Sequence, residues 1–339
     1  MRYSSRFFLY GPFVVLLVLA TAAMAWWWFA AGALSRYLDA ANGHALAPGV
    51  TIHFADKQIA GFPFRVDAVL DNVDIEIATS RGPVSWRAEH FAMHALTYGP
   101  AQALYEAAGH QSLSWTGADG VHHVWNFVPT VLRASAFNQA GGLARFDLDA
   151  IGIVSPELRA DRFQFHLRKD PARDGLDVVI TGDGLHLAPV LQAGFGDTIS
   201  HLRLDAGVMP ATPLAPLLAG KGDWRVAAEN WRTHSGAFTL NRLEIDWNVL
   251  KVKASGRLTL DDQHRPYGLL NMNLDGVQSL AAELAKLGLQ QGDGNGLAPA
   301  LAAAAQASNA QIQLSAALGF KDGIVYVGDA PAGFLRALY

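Results

Sequence analysis

The stretch that decides the fold is KVKASGRLTL, residues Lys251 to Leu260. Read together with the preceding leucine, it alternates apolar and polar side chains with a period of two. Its apolar side consists of Leu250, Val252, Ala254, Leu258 and Leu260. This period places one set of side chains on each face of a β-strand, and therefore predicts a strand with one dry and one wet face.

The same alternation recurs along the chain from about Thr51 onward, which indicates at least ten strands. Turn sequences such as Gly182-Asp183-Gly184 and Lys321-Asp322-Gly323 separate them. Short strands at this spacing predict a mainly β protein built from antiparallel meanders, closed as a sandwich or barrel or left partly open as a groove. The candidate groove residues are Leu250, Val252, Leu258, Leu260, Leu270, Met272, Leu274, Ile312, Leu314 and Leu318.

Composition excludes several classes of protein. The chain has 339 residues, of which 51% are hydrophobic and only 17% are charged, so it is too apolar to be disordered. Its 26 basic and 30 acidic residues give no basic patch for nucleic acid. The chain has no cysteine, which excludes disulfides, thiolate catalysis and cysteine-based zinc sites. No cofactor is expected.

The N-terminal region predicts a membrane anchor. No charged residue lies between Arg6 and Arg36, and residues 7–34 exceed the roughly 20 apolar residues that a bilayer requires. Arg2 and Arg6 precede the span, so the positive-inside rule predicts a cytoplasmic tip at residues 1–6, a single-pass anchor and an exported remainder.

Three tryptophans near the outer end of this span, Trp26, Trp27 and Trp28, are predicted to lie at the membrane interface, which aromatic rings prefer. The alternative is a signal peptide cleaved after Ala25, because Ala23-Met24-Ala25 has the small-x-small form of such sites. The length of the apolar run favours the uncleaved anchor.

The remaining organisation follows from turn and cap signals. We expect a juxtamembrane helix and linker over residues 35–50 and one β-rich domain over residues 51–339, with a sub-boundary near 210–222. Two short helices separated by a glycine-rich connector predict a helical lid over residues 279–308.

Possible catalytic or metal-binding groups are few. His90 and His94 have a spacing that suits zinc on a helix, but their surroundings favour a strand, where they would lie ~13 Å apart. On a strand, Glu244 and Asp246 would lie ~6.6 Å apart on one face, and Asp147 and Asp149 have the same spacing. This distance suits a pair of carboxylates in acid–base catalysis, but alternating acidic residues are also typical of the solvent-exposed face of an ordinary sheet.

The segment Gly61-Phe62-Pro63-Phe64 predicts a corner between strands. Glycine permits an unusual backbone angle and proline fixes φ, while the two phenylalanine rings are expected to bury on the same side as a plug of the core. A ligand-contact role is the alternative.

This corner also carries a resemblance. Five features of the chain contribute to it. These are an apolar anchor, a first strand over Thr51 to Lys57, Gly-Phe-Pro-Phe-Arg at 61–65, the segment Ala95 to Pro100, and a closing hairpin over Phe320 to Gly328. In these features the chain resembles the bacterial envelope family domain-of-unknown-function 2125. The layout is similar to the wider AsmA-like group, which implies an inner-membrane helix followed by a twisted β-rich periplasmic part, with a role in outer-membrane biogenesis and lipid movement.

Three functional hypotheses follow. The first is a non-enzymatic, membrane-anchored protein that shelters acyl chains of membrane lipid in an apolar β-groove. The second is a scaffold with a closed core that recruits another envelope protein. The third is a hydrolase that uses carboxylates such as Glu244 and Asp246.

Overall fold

The computed structural model describes residues 5–79, 82–97, 99–117, 120–170, 172–189, 195–276 and 313–339. It is mostly antiparallel β-sheet, with 61% strand, and the sheet is open. This confirms the predicted fold class. Two compact units divide the chain: unit 1 comprises Met1–Trp125 and Ser135–Phe137, and unit 2 comprises Asn126–Ala134 and Asn138–Tyr339. The single domain expected over residues 51–339 is therefore divided between them.

The first element is a helix of 37 residues, α1 (Ser5–Ala41). It ends before Gly43, which adopts a positive φ of 79°. The portion Tyr10–Ala41 is long and apolar enough to cross a membrane. From Tyr10 to Leu19 it is largely exposed, with large apolar side chains such as Phe13, Leu16 and Leu19 facing outward.

The second half of α1 packs on the sheet of unit 1. Its buried stripe contains Trp27, Ala31, Leu38 and Ala41, with Leu34 partly buried between them. The spacing of four and three residues keeps this stripe on one face of the helix. Residues 27–34, predicted as part of the membrane span, therefore lie against protein along this stripe.

Unit 1 begins with the strands β1 (His44–Ala47), β2 (Val50–His53), β3 (Asp56–Ala60), β4 (Arg65–Ile77), β5 (Val84–Leu96) and β6 (Gly99–Thr116). The order is β1–β2–β4–β5–β6, with β3 pairing the other half of β4. Residues 44–47 are thus a strand, where a linker was expected. The predicted strand Thr51 to Lys57 is in fact divided between β2 and β3.

Two strands follow where the chain passes from one unit to the other, β7 (His122–Phe127) and β8 (Val131–Gln139). Unit 2 is then a meander of β9 (Gly142–Val154), β10 (Leu158–Asp170), β11 (Gly175–Leu187), β12 (Thr198–Met209), β13 (Ala237–Trp247), β14 (Leu250–Leu260), β15 (Pro266–Asp275), β16 (Gln313–Lys321), β17 (Ile324–Val327) and β18 (Ala330–Phe334). Each of these ten strands pairs antiparallel with the next.

Helical structure interrupts the meander between β12 and β13: a 3₁₀ turn (Thr212–Leu214), α2 (Ala215–Leu218) and α3 (Trp224–Thr233). Asp223 caps α3 by accepting hydrogen bonds from the backbone N–H groups of Arg225 and Val226. The sub-boundary expected near 210–222 falls on this excursion, but β12 and β13 pair directly within one sheet. The predicted lid over residues 279–308 lies outside the described residues.

Candidate functional site

One face of unit 2 is apolar across eight consecutive strands, β9 to β16. Its middle row, in cross-strand register, is Leu148, Phe165, Ile180, Leu204, Leu243, Ala254, Met272 and Ala316. We call the face that carries this row the apolar face. All members of the row except Ala254 are half-buried. A side chain in this state is covered by its neighbours on adjoining strands while its tip remains accessible.

Two flanking rows extend the apolar face along the strands. One is Ala150, Phe163, Gly182, Leu202, Ile245, Val252, Leu274 and Leu314, and the other is Phe146, Leu167, Val178, Ala206, Leu240, Gly256, Leu270 and Leu318. A bulge in β13 between Leu240 and Leu243 keeps both leucines on this face. With strands ~4.8 Å apart and rows ~6.7 Å apart, the apolar face covers about 34 by 13 Å.

The structure places six predicted groove residues in these rows: Val252, Leu270, Met272, Leu274, Leu314 and Leu318. Leu250, Leu258 and Leu260 continue the same side of β14, and Ile312 lies outside the described residues. Leu250, Leu274 and Leu314 are buried, the latter two in a cluster with Val327 and Ala332. This end of the sheet is a packed core. In the part formed by β10 to β13, which the prediction did not single out, Ala206 and Leu240 are buried and the other side chains of the three rows are half-buried.

The opposite face of unit 2 is polar. Its central row, again in register, is Asp149, Gln164, Thr181, Arg203, Glu244, Lys253, Asn273 and Ser315. Arg162 binds both carboxylate oxygens of Asp149, at 2.7 and 3.0 Å. Each such pair on an exposed face contributes little stability, but the charged groups make this face of the sheet hydrophilic; we call it the wet face.

The proposed catalytic carboxylates are part of this wet face. Glu244 lies 3.8 Å from Arg242 and 3.9 Å from Lys253. Asp147 accepts hydrogen bonds from His166 at 2.7 Å and Arg145 at 2.6 Å. Burial alone would raise the pKa of Asp147, but these bonds outweigh it and hold the pKa below its ordinary value. Carboxylates held ionised in this way are typical of surface ion pairs.

The histidines with zinc-like spacing lie on a strand, as predicted. His90 bonds to Asp71 and His94 bonds to Asp67, each through Nδ1 at 2.8 Å. Each pair joins β5 to β4 across the sheet. Within the described ranges, no three histidine or acidic side chains are close enough to hold a metal ion.

The Gly61 to Phe64 corner forms, but its rings do not plug the core. Gly61 has a φ of 95°, and a Cβ there would lie 2.6 Å from the carbonyl oxygen of Arg65, so glycine is required. Phe62 is 51% exposed and Phe64 is 64% exposed. The expectation of buried rings was therefore wrong: both rings are more than half exposed, and only the Phe62 ring meets the helix, at Trp27.

The three tryptophans of α1 have different surroundings. Trp26 and Trp28 are 56% and 68% exposed, whereas Trp27 is only 8% exposed. Trp27 packs with Ala31 against Val66, and its ring meets Phe62 edge to face with centroids 5.3 Å apart. Trp27 thus belongs to the core of unit 1, and the position of the three tryptophans at a membrane interface stays a prediction.

A cavity of about 460 Å³ lies beside this corner. Its lining includes Arg65, His94, Leu96, Gln102 and Leu104. Arg65 and His94 both contact the buried carboxylate of Asp67. The charge on that carboxylate is thereby compensated inside the sheet.

Sequence reasoning missed a polar cluster around α3. Glu229 accepts hydrogen bonds from Arg232 at 2.8 and 2.9 Å and from the Tyr339 hydroxyl at 3.0 Å, and His264 lies 3.1 Å away. The bonds from Arg232, opposed by burial and reinforced by Tyr339, lower the pKa of Glu229 to about 2. Only the helical spacing of Glu229 and Arg232 could have been read from the sequence.

These features define a class: a β-rich protein with an open antiparallel sheet and one N-terminal helix long enough to cross a membrane. The chain belongs to the family described as "Uncharacterized protein conserved in bacteria (DUF2125)", which its sequence matches over residues 27–335. The resemblance drawn from the sequence is confirmed at the level of this family, while the AsmA-like layout stays a prediction. No curated protein matches the sequence.

Proposed function

We propose that this protein is a non-enzymatic, inner-membrane-anchored periplasmic protein that shelters lipid acyl chains on the apolar face of unit 2. The observation that carries the proposal is the register of that face: every position in its three rows, from β9 to β16, is apolar or glycine. Its half-buried side chains leave apolar area accessible to solvent, and a bound acyl chain would shield that area from water.

The dimensions of the face suit an acyl chain. One leaflet of a bilayer contributes about half of the ~30 Å hydrocarbon core, so a face about 34 Å long accommodates two such chains end to end. Each CH₂ group removed from water contributes ~0.8 kcal/mol. Binding by this route needs no directional polar group and selects for apolar length alone.

The anchor and its orientation complete the proposal. The exposed half of α1 offers large apolar side chains in all directions, which suits lipid surroundings. Arg2 and Arg6 precede it in the sequence, which favours a cytoplasmic N-terminus. Because Asp147, Asp149 and Glu244 on the wet face are engaged in ion pairs, we assign none of these carboxylates a catalytic role.

The test compares two neighbouring residues of β11 that are half-buried on opposite faces. Ile180 lies in the middle row of the apolar face, and Thr181 lies in the polar row. The full chain is extracted in detergent, incubated with a diazirine-bearing phospholipid, irradiated and mapped by peptide mass spectrometry. In the wild-type chain we expect crosslinks on β10 to β15. Ile180→Asp should abolish these crosslinks and Thr181→Asp should retain them. Both variants should keep the β-sheet circular dichroism spectrum of the wild-type chain.

A scaffold with a closed core is the second candidate, and the packed cluster of Leu274, Leu314, Val327 and Ala332 favours it. In such a scaffold the whole apolar face would be packed against protein and inaccessible to lipid. Unit 2 would then remain uncrosslinked in the wild-type chain, and Ile180→Asp would unfold the sheet instead of emptying a site.

A further inference from the structure

Four exposed aromatic residues lie on the two segments that meet where α1 packs on the sheet of unit 1: Trp26, Trp28, Phe62 and Phe64. Trp28 and Phe62 both meet the ring of Trp27, and Thr97 bonds both the Trp26 indole and the carbonyl oxygen of Phe64. We call this set the aromatic collar. Two of its members come from the helix, and two come from the corner that leads into β4. Exposed tryptophan and phenylalanine rings at one end of a domain mark an interaction surface.

The collar is fixed rigidly to the helix. Trp27, between the two helical members, contacts Phe62 edge to face and donates its indole N–H to the carbonyl oxygen of Arg65 at 2.7 Å. Trp26 donates its indole N–H to the carbonyl oxygen of Thr97, in the turn after β5, at 3.1 Å. The ends of β4 and β5 are therefore held at the height of these tryptophans.

The position of these tryptophans along α1 coincides with the expected edge of the hydrocarbon core of a bilayer. From Phe7 to Trp26 the helix has twenty residues, and at 1.5 Å per residue these span ~30 Å, the thickness of the hydrocarbon core. From Trp27 onward the helix packs on the sheet. The collar thus begins where the lipid-exposed part of the helix ends.

We propose that the aromatic collar inserts into the headgroup region of the bilayer that α1 crosses, so that unit 1 is docked on the lipid surface and not merely tethered to it. This rests on the membrane anchoring in the proposed function. Amphipathic and aromatic rings favour this region. Arg65 follows Phe64 directly, and its side chain is half-exposed, a position from which a guanidinium can contact lipid phosphate.

The chain has no cysteine, so single spin labels can be placed without background. Phe64→Cys reports on the collar. Ile77→Cys is the matched control, since Ile77 is also apolar, 47% exposed and on β4, but twelve residues away at its far end, ~40 Å from Arg65. Leu16→Cys reports on the anchor itself. The labelled full chains are reconstituted into vesicles of phosphatidylethanolamine and phosphatidylglycerol.

Collisions with oxygen, which partitions into lipid, are compared with collisions with a water-soluble nickel chelate. We expect the oxygen-to-nickel ratio to be several-fold higher at position 64 than at position 77, and highest at position 16. A ratio at 64 equal to that at 77, with 16 in lipid, overturns the docking but leaves the anchor intact. A label at 64 shielded from both reagents indicates a protein contact and also overturns it.

An aqueous label at position 16 overturns the anchoring, and the docking with it. Phe64 is the primary site because the side chain is largely exposed, so its replacement leaves the Trp27–Phe62 contact in place. A second label at Phe62→Cys must give the same depth as the label at position 64.

Discussion

Trp27 donates its indole N–H to the backbone carbonyl oxygen of Arg65 at 2.7 Å, and this bond joins the N-terminal helix to the first residue of β4. The two residues are 38 positions apart in the chain. The ring of Trp27 also fills the space between Ala31 and Val66. One side chain therefore supplies both packing and a directional bond where the helix meets the sheet.

Replacing Trp27 separates these two contributions. We expect Trp27→Phe to lower the free energy of unfolding by about 0.5–1.5 kcal/mol, because the carbonyl loses its partner, and Trp27→Ala to lower it by about 3–5 kcal/mol. Urea unfolding of the full chain in detergent micelles measures both. Tyr37→Ala is the control, since that ring is exposed on the same helix, and its effect should stay within about 0.5 kcal/mol.

The packed end of unit 2 predicts a second contrast. Leu314 is 1% exposed in the cluster with Leu274 and Val327, so Leu314→Ala should cost about 2–5 kcal/mol. Leu269 on β15 pairs with Gly319 of β16 and is exposed on the opposite face, so Leu269→Ala should cost less than about 0.5 kcal/mol. Equal losses in thermal unfolding would mean that the two faces of this sheet are not differently buried.

The sequence predicted an element of this fold only where apolar and polar side chains alternate with the period of that element. Alternation in Lys251 to Leu260 and in its weaker copies identified the strands, because period two is the geometry of a strand. The part of the stripe formed by Trp27, Ala31 and Leu34 stayed hidden, because residues 7–34 of the helix are apolar on every side and offer no contrast. Hydropathy alone cannot separate a lipid-facing surface from a protein-facing one.

The site was predicted only in part for a similar reason. Alternation placed Val252, Met272 and Leu318 on one face, but burial depends on what packs above a residue, and no local pattern records that. The rings of Phe62 and Phe64 are exposed, and Phe62 meets Trp27 of the N-terminal helix, a contact that the local sequence does not encode. The Glu229–Tyr339 bond joins residues 110 positions apart, a separation at which sequence spacing carries no information.

Close approach of two strands gives a prediction at Gly256. Its φ is 154°, and a Cβ there would collide with the carbonyl oxygen of Leu269 on β15. Gly256→Ala should therefore destabilise unit 2 by about 1–3 kcal/mol, as strain at a constrained backbone position does. Gly333→Ala on β18 is the control, because nothing lies within 4 Å of its added Cβ, and it should be neutral or stabilising by up to about 1 kcal/mol. Chemical unfolding of both variants decides the point.

The cluster around Glu229 predicts a dependence of stability on pH. The hydrogen bond from Arg232 is the main cause that lowers the pKa of Glu229 in the folded protein to about 2, from an ordinary value of 4.5. A depressed carboxyl pKa stabilises the fold above the unfolded value, and this stabilisation is lost as pH falls from about 4.5 towards 2. We expect Glu229→Gln to lower the thermal midpoint at pH 7 and to flatten its decline over this window.

Tyr339→Phe should reproduce part of that flattening, because it removes one of the bonds to the ionised Glu229. Glu157→Gln, at an exposed turn before β10, controls for the loss of one negative charge and should leave the profile parallel to that of the wild-type chain. Thermal unfolding followed by circular dichroism at pH 7, 4.5 and 3 provides the comparison. If Glu229→Gln and Glu157→Gln shift the midpoint equally at every pH, the bonds from Arg232 and Tyr339 do not hold Glu229 ionised in the folded protein.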